Sequence, residues 1–375
     1  MTNAGLYIHI PFCNAKCHYC DFASFVCNND LKNRYVDCLC TEMQRKGELF
    51  KGYIFDTIYI GGGTPSVLPY GCIKKIVECI QENFDISKNT EFTIEVNPNS
   101  LTDTKLKEYI SCGVNRVSMG VQSINDNSLH AIGRKQSFED VKNAFEILHR
   151  NGINNISADM MLGLPFQTRK DIRKIVNFFV KHKVKHISAY MLQLEDNTKL
   201  KQNVQSGKIV LPSDEETTKL YQYAIKLCNS KHYCLYEISN LSKKHFESKH
   251  NIKYWNDIEY LGLGVSSSSY YGGMRYTNNG NLEEYLNNIE SNSSVVSFEE
   301  KLDKDTMRTE KIMLSLRTAK GLDLIDFETK FEENLLESKK NIIKKYKKAL
   351  NIKNGRLYIK PKYFVVSNQI ILDLI

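Results

Sequence analysis

Short apolar runs alternate with longer amphipathic stretches along the first half of the chain. The apolar runs predict strands at residues 6–10, 57–60, 92–96, 116–120, 156–161 and 186–191. The stretches between them have helical periodicity and predict helices at residues 31–50, 72–84, 102–112, 138–151 and 169–182. This alternation is typical of a parallel α/β sheet, in which active sites usually lie at the carboxyl ends of the strands.

The pattern loosens in the second half of the chain. A capping box formed by Ser213 and Glu216 opens a predicted helix at residues 213–229, and a strand is predicted at residues 234–238. Residues 240–280 are rich in Gly, Ser, Tyr and Asn, so we predict irregular structure there.

A charged tail follows from about residue 303. Its pattern predicts helices and then short strands, an order that resembles a small winged-helix-like domain, at residues 305–316, 335–350, 357–359 and 364–366. The chain therefore divides into an α/β core, an α+β closing region and a C-terminal domain, at residues 1–195, 196–300 and 301–375.

Composition favours a protein of the cytoplasm. A hydrophobic fraction of 42% and a charged fraction of 25% are ordinary for a globular protein. No apolar run approaches the ~20 residues of a membrane span, and the N-terminus lacks a leader-like segment. The 11 cysteines are an odd number without a disulfide-framework spacing, which indicates a reducing compartment.

The net charge of +8 has two explanations. The basic excess lies late in the chain, at Lys339, Lys340, Lys344, Lys345, Lys347 and Lys348. A solvated helix face is the favoured explanation, and contact with nucleic acid or with an anionic membrane surface is the alternative. Net charge does not distinguish them, and we predict no nucleic-acid partner.

The richest chemical signal is a triplet of cysteines after the first predicted strand. Cys13, Cys17 and Cys20 have the spacing C-x3-C-x2-C. Thiolates select iron–sulfur clusters, zinc or Cu(I). Three thiolates can hold a cubane cluster and leave its fourth iron open, whereas a structural zinc site takes four ligands. His18 lies within the triplet, so spacing alone leaves zinc open, as it does unligated thiols.

Other candidate residues lie at or near predicted strand ends. Gly61, Gly62 and Gly63 follow the second strand and let the backbone approach a ligand closely, although they form neither a dinucleotide fingerprint nor a P-loop. Glu95 ends the third strand, where a carboxylate can accept a hydrogen bond from an ammonium group or a ribose hydroxyl. Asp159 lies inside the apolar fifth strand, which is costly unless the carboxylate has a partner.

The segment from Tyr7 to Cys20 resembles the entry motif of radical S-adenosylmethionine (SAM) proteins, and within them the coproporphyrinogen dehydrogenase-like family. Further ordered motifs extend the resemblance over most of residues 5–290. It implies a partial parallel (β/α)6 barrel, a [4Fe–4S] cluster on Cys13, Cys17 and Cys20, and SAM on the open iron. It also implies a SAM site formed by Tyr7, Tyr19, Gly62, Gly63, Thr64, Glu95, Gln122, Arg134 and Asp159.

Two features separate the branches of this family. Coproporphyrinogen dehydrogenases carry a fourth cysteine where this chain has Phe22. The segment from His250 to Trp255 reads H-N-x-x-Y-W and resembles the haem-binding motif of the HemW branch, whose members are haem chaperones. Imidazole is a common axial ligand of haem iron, and Tyr254 and Trp255 offer flat surfaces for a porphyrin. Without this resemblance, His250 would be interpreted as a surface residue.

The resemblance therefore implies a haem chaperone that binds a [4Fe–4S] cluster, SAM and haem. Its partners would be haem-accepting proteins, including proteins at the membrane, where the chain would lie peripherally. A homodimer is compatible with the sequence but not demanded by it. The alternative is an oxygen-independent coproporphyrinogen III dehydrogenase, an enzyme that decarboxylates two propionates. A nucleic-acid-modifying radical enzyme is a weaker third hypothesis.

Overall fold

The computed structural model describes residues 2–375, and its first half confirms the predicted alternation. Six parallel strands follow one another: β1 (Thr2–Ile10), β2 (Tyr53–Gly62), β3 (Ile86–Val96), β4 (Arg116–Gln122), β5 (Ile156–Leu162) and β6 (His186–Met191). The helices of this half are α1 (Asn29–Gly47), α2 (Cys72–Asn83), α3 (Asp103–Ser111), α4 (Asp126–Ala131), α5 (Phe138–Arg150) and α6 (Arg169–Lys181).

Side-chain alternation gives the parallel sheet one apolar and one polar face. Alternate residues such as Ile60 and Ile94 are fully buried in the core shared with the helices. The residues between them carry polar groups, among them Glu95 and Asp159, which face a common cavity. Because side chains along a strand point to opposite faces, one register places all the polar residues inside the barrel.

The second half extends this sheet at both edges. Its elements are α7 (Lys199–Gln205), α8 (Asp214–Ser230), β7 (Cys234–Leu235), β8 (Asn240–Ser242), α9 (Lys249–Trp255), β9 (Tyr260–Leu263), β10 (Ser268–Tyr271), β11 (Met274–Asn278), α10 (Leu282–Glu290) and β12 (Val296–Lys301). The sheet has 12 strands in the order β12-β11-β10-β9-β1-β2-β3-β4-β5-β6-β8-β7. Strand β9 pairs with β1 in parallel, and β8 pairs with β6 antiparallel.

The prediction of irregular structure at residues 240–280 is wrong. Four short strands and α9 occupy most of this segment. Two of its glycines, Gly262 and Gly264, serve close packing: a Cβ on Gly262 would lie 2.1 Å from the Ser268 carbonyl oxygen. Composition suggested a loop because a glycine that permits close backbone approach has the same signature as one in a turn.

The C-terminal part forms a small helical unit with its own sheet. Its elements are α11 (Lys304–Leu316), β13 (Leu322–Asp323), α12 (Leu324–Phe331), α13 (Leu335–Ser338), α14 (Lys340–Lys345), β14 (Leu350–Lys353), β15 (Arg356–Ile359) and α15 (Ser367–Leu374). The sheet is antiparallel in the order β13-β15-β14.

Two predictions for this part are corrected. The predicted helix at 335–350 is broken at Lys339, where the backbone leaves helical geometry (φ −109°, ψ 23°). The predicted strand at 364–366 lies in a 3-10 helix, Pro361–Val366, because a proline at the first turn presets helical φ. Within residues 2–375, no helix combines the length and the apolar character needed to cross a bilayer.

Candidate functional site

A cavity of about 430 Å³ opens at the carboxyl ends of the parallel strands. It brings together the three cysteines of the triplet and all but one of the residues predicted to hold SAM. Those lining residues are Cys13, Cys17, Tyr19, Cys20, Gly62, Gly63, Thr64, Glu95, Gln122, Arg134 and Asp159. These residues converge because the carboxyl ends of parallel strands meet at one edge of the sheet.

The cysteine loop is anchored on two sides. The backbone N–H of Cys13 donates to the carbonyl of Phe25 at 3.0 Å. The N–H of His18 donates to the carbonyl of Ile132 at 2.9 Å, and the N–H of Leu200 donates to the His18 carbonyl at 2.7 Å. These backbone bonds hold the loop, and of the three thiols Cys13 Sγ also lies 3.5 Å from Thr64 Oγ1.

His18, the candidate fourth ligand of a zinc site, is engaged elsewhere. His18 Nδ1 lies 3.3 Å from the Ala131 carbonyl, and His18 is not a lining residue of the cavity. Among residues 2–375, no group of three His, Cys, Asp or Glu side chains is arranged to hold a single metal ion. A zinc ion requires its ligands to converge on one point, whereas a cubane spreads three thiolates over three irons.

Arg134 links the cysteines to the polar end of the cavity. Burial raises the pKa of the Cys17 thiol, and the charge of the Arg134 guanidinium offsets part of that increase. Arg134 Nη2 donates to Tyr19 Oη at 3.4 Å, and Nη1 donates to Gln136 Oε1 at 3.2 Å. Arg134 is thereby fixed between the cysteine loop and β4.

Two glycines allow β2 to approach the cysteine loop closely. A Cβ on Gly63 would lie 2.8 Å from the Phe12 carbonyl oxygen and 3.1 Å from Cys13 Sγ. Gly62 has φ +112°, and its Cβ would lie 2.6 Å from the His9 ring. Only glycine satisfies both requirements, so the glycine run belongs to the structure of the site.

Two acids share the inner wall of the cavity. Glu95 accepts from Tyr59 Oη at 2.7 Å and from the Gly62 N–H at 3.1 Å. Burial raises the pKa of Glu95 to about 7, with a further increase from the charge of Asp159. Burial also raises the pKa of Asp159 to about 6, against the opposing effects of Ser188, Arg116 and Arg134.

Four polar atoms of the lining residues are buried without a hydrogen-bond partner. They are Ser24 Oγ, Asn97 Oδ1, Gln122 Oε1 and Arg134 Nε. Gln122 also has φ +64°, an uncommon backbone conformation for a residue other than glycine. Buried polar atoms are normally paired, so these four indicate a polar ligand in the cavity. A sulfonium nucleoside such as SAM, with amino, carboxylate and ribose groups, fits this donor and acceptor set.

Tyr7 and the predicted haem motif lie outside the cavity lining. Tyr7 Oη lies 2.9 Å from His9 Nδ1, deeper in the barrel. His250, in α9, is only 1% exposed, with Nδ1 at 2.9 Å from Thr57 Oγ1 and Nε2 at 2.8 Å from Tyr254 Oη. Both ring nitrogens therefore have partners, and ligation of iron requires at least one of these bonds to break.

The environment of His250 keeps its ring neutral. Burial lowers its pKa to about 3, and the charges of Lys253 and Arg116 add to the effect. A neutral imidazole is the form that binds metal. Trp255, at the end of the same helix, is half-buried.

Sequence reasoning missed several residues of the site. Asn97 follows Glu95 by two positions, just beyond the end of β3. His9 on β1 pairs in register with Gly61 on β2, and Tyr59 precedes Gly61 by two positions. The alternation of side chains was the available signal, because every second residue on these strands points inward. Their partners follow from strand register, which the sequence does not supply.

Two family models match the chain. The Radical SAM superfamily model matches residues 7–179, and the HemN C-terminal domain model matches residues 302–365. The coproporphyrinogen III oxidase HemN from Escherichia coli has a similar structure, with a TM-score of 0.86 over 100% of this chain and 90% of that chain, at 21% identity. Fold and site thus define a radical SAM protein of the HemN-like class.

Curated relatives narrow the class further. The heme chaperone HemW of Lactococcus lactis is 37% identical over 326 residues, covering 87% of this chain and 84% of that protein. The heme chaperone HemW of Bacillus subtilis is 34% identical over 330 residues, covering 88% and 87%. The chain belongs to the HemW family of radical SAM proteins.

Proposed function

We propose that this protein is a haem chaperone that binds a [4Fe–4S] cluster, SAM and haem and passes haem to acceptor proteins. The observation that carries the proposal is the single cavity in which three free thiols meet unpaired buried polar atoms. The HemW relatives supply the haem chaperone role. A bound cluster with an open iron supplies a coordination site and one-electron chemistry.

Different residues of the cavity would bind the cluster and the separate groups of SAM. Cys13, Cys17 and Cys20 would hold the cluster. Glu95 and Asp159 would accept hydrogen bonds from the ammonium or ribose groups of SAM, and Gln122 and Arg134 would provide a further acceptor and donor. The glycines admit the ligand close to the backbone, and the barrel walls exclude water from it.

Haem binding is proposed at His250, with Tyr254 and Trp255 beside it. The ring is neutral, and its Nε2 is occupied by the hydrogen bond with Tyr254, so α9 must shift for haem to bind.

Phe22, which is 69% exposed at the rim of the cavity, supplies no fourth thiol. This absence argues against a coproporphyrinogen dehydrogenase, which carries a cysteine at that position.

The cellular setting is also proposed. All 11 cysteines are free, in keeping with a reducing cytoplasm. The acceptors would include proteins at the membrane surface, which the chain would reach as a peripheral protein. A homodimer remains a prediction, to be tested by sedimentation of the reconstituted protein.

An anaerobic haem titration of the cluster-reconstituted protein, followed in the Soret region, tests the proposal. We expect saturation near one haem per chain and binding at least roughly tenfold weaker in His250→Ala, because the axial ligand is lost. His245→Ala is the matched control, since His245 is exposed in the same segment.

Each other outcome has a defined meaning. Saturable binding that His250→Ala does not weaken would mean that the haem site lies elsewhere in the protein. Absence of saturable binding would contradict the chaperone proposal, and vinyl product from coproporphyrinogen III, SAM and a reductant would then establish the dehydrogenase.

A further inference from the structure

We infer that Tyr59 is a positioning residue of the SAM site and that the ring of His250 holds Tyr59 in place. The inference rests on the proposed binding of SAM in the cavity. It assigns to Tyr59 and His250 a task at a site that neither residue lines. Glu95 is the residue through which both would act.

Both carboxylate oxygens of Glu95 are fixed from one side. Tyr59 Oη donates to Oε1 at 2.7 Å, and the Gly62 N–H donates to Oε2 at 3.1 Å. A Cβ on Gly61 would lie 2.9 Å from Glu95 Cδ, so the glycine leaves room for the carboxylate. The carboxylate is therefore oriented before any ligand arrives, which reduces the entropy lost on binding.

The Tyr59 ring is itself supported from behind. It stacks on the His250 ring, with centroids 5.3 Å apart and planes at 29°. His250 is held by Thr57 at one nitrogen and by Tyr254 at the other. This sequence of contacts runs from α9 through β2 to Glu95 on β3, so a shift of the His250 ring would loosen the carboxylate.

The hydrogen bond from Tyr59 also affects the charge of Glu95. The titratable or charged groups that face it are Tyr7, Tyr59, Arg116, Asp159, Tyr190 and Tyr254. Burial and Asp159 raise its pKa, whereas the hydrogen bonds from Tyr59 and Gly62 and the charge of Arg116 lower it. Removal of the Tyr59 hydroxyl should therefore raise the pKa of Glu95 and deplete the carboxylate form near neutral pH.

Tyr59→Phe tests this role, with SAM affinity measured by calorimetry on reconstituted protein from about pH 6 to pH 9. We expect roughly tenfold weaker binding than wild type near neutral pH, because Glu95 is less ionised and less firmly oriented in the variant. The ratio of the two affinities should shrink as pH rises, because Glu95 ionises again in the variant. The ratio cancels the titration of SAM itself.

The controls separate the inference from the function on which it rests. Tyr53→Phe changes a tyrosine on the same strand that has no contact with Glu95, and it should bind SAM as wild type does. If wild type fails to bind SAM, the proposed function fails. If wild type binds and Tyr59→Phe is unchanged, or is weakened by the same factor at every pH, the positioning role is wrong.

His250 is tested by two variants that differ in the ring alone. His250→Phe keeps a flat ring behind Tyr59 but removes both nitrogens, and His250→Ala removes the ring. We expect SAM affinity within about threefold of wild type in His250→Phe and a larger loss, roughly tenfold, in His250→Ala. Equal SAM affinity in the two variants would contradict the support assigned to the ring, whatever happens to haem.

Discussion

Cys17→Ala is expected to abolish the brown absorption of the iron–sulfur cluster in anaerobically reconstituted protein. In the proposed cluster each of the three thiolates would serve a different iron, so the loss of one would leave a second iron without a protein ligand. Cys17 lines the cavity between Cys13 and Cys20, and no other cysteine of the described residues lines it. Iron content should fall from roughly four per chain to near zero.

Cys27→Ala is the matched control for this experiment. Cys27 is partly buried and close in sequence to the triplet, but it does not line the cavity. Its variant should keep both absorption and iron. Retention of a full cluster by Cys17→Ala, or one zinc per wild-type chain in place of iron, would contradict the cluster assignment.

The parallel core could be predicted closely from the sequence. Strand β6 has the predicted bounds, and β5 extends the prediction by one residue, to Leu162. In these strands apolar residues buried against the helices alternate with residues of the other face, which is a strong local signal. Strands β1 and β3 extend further toward their N-termini, where polar residues pair in the sheet without an apolar pattern, and β2 extends at both ends.

The candidate site was predictable where strand ends carry polar residues. Glu95 and Gln122 could be assigned to one edge because parallel strands end together. Asn97 and Tyr59 could not be assigned, because their roles depend on which atoms meet across strands. Tyr59 reaches Glu95 over a separation of 36 residues, and that contact depends on register.

His250 shows why local sequence was insufficient. Its polar neighbours favoured a surface loop, yet the residue lies in α9 and is almost fully buried. The partner of its Nδ1 is Thr57, 193 residues earlier in the chain. Burial of a polar helix follows from such distant contacts, which no local pattern encodes.

Loss of the Glu42 side chain should strongly reduce the stability of the fold. It lies in α1, is 1% exposed, and accepts three hydrogen bonds from the closing region. The donors are the Gly264 N–H at 2.8 Å, Asn278 Nδ2 at 2.7 Å and Tyr285 Oη at 2.7 Å. Glu42 therefore joins the first helix to the residue that follows β9, to the end of β11 and to α10.

Glu42→Ala should lower the free energy of unfolding by roughly 4 kcal/mol, because three buried donors lose their acceptor. A thermal melt followed by circular dichroism should show a midpoint lower by about 5–10 °C. Glu42→Gln keeps the volume and part of the hydrogen bonding, so we expect an intermediate loss. Glu48→Ala, at an exposed position just beyond the same helix, should stay within about 0.5 kcal/mol of wild type. A Glu42→Ala midpoint equal to that of Glu48→Ala would mean that the closing region is held by its apolar contacts alone.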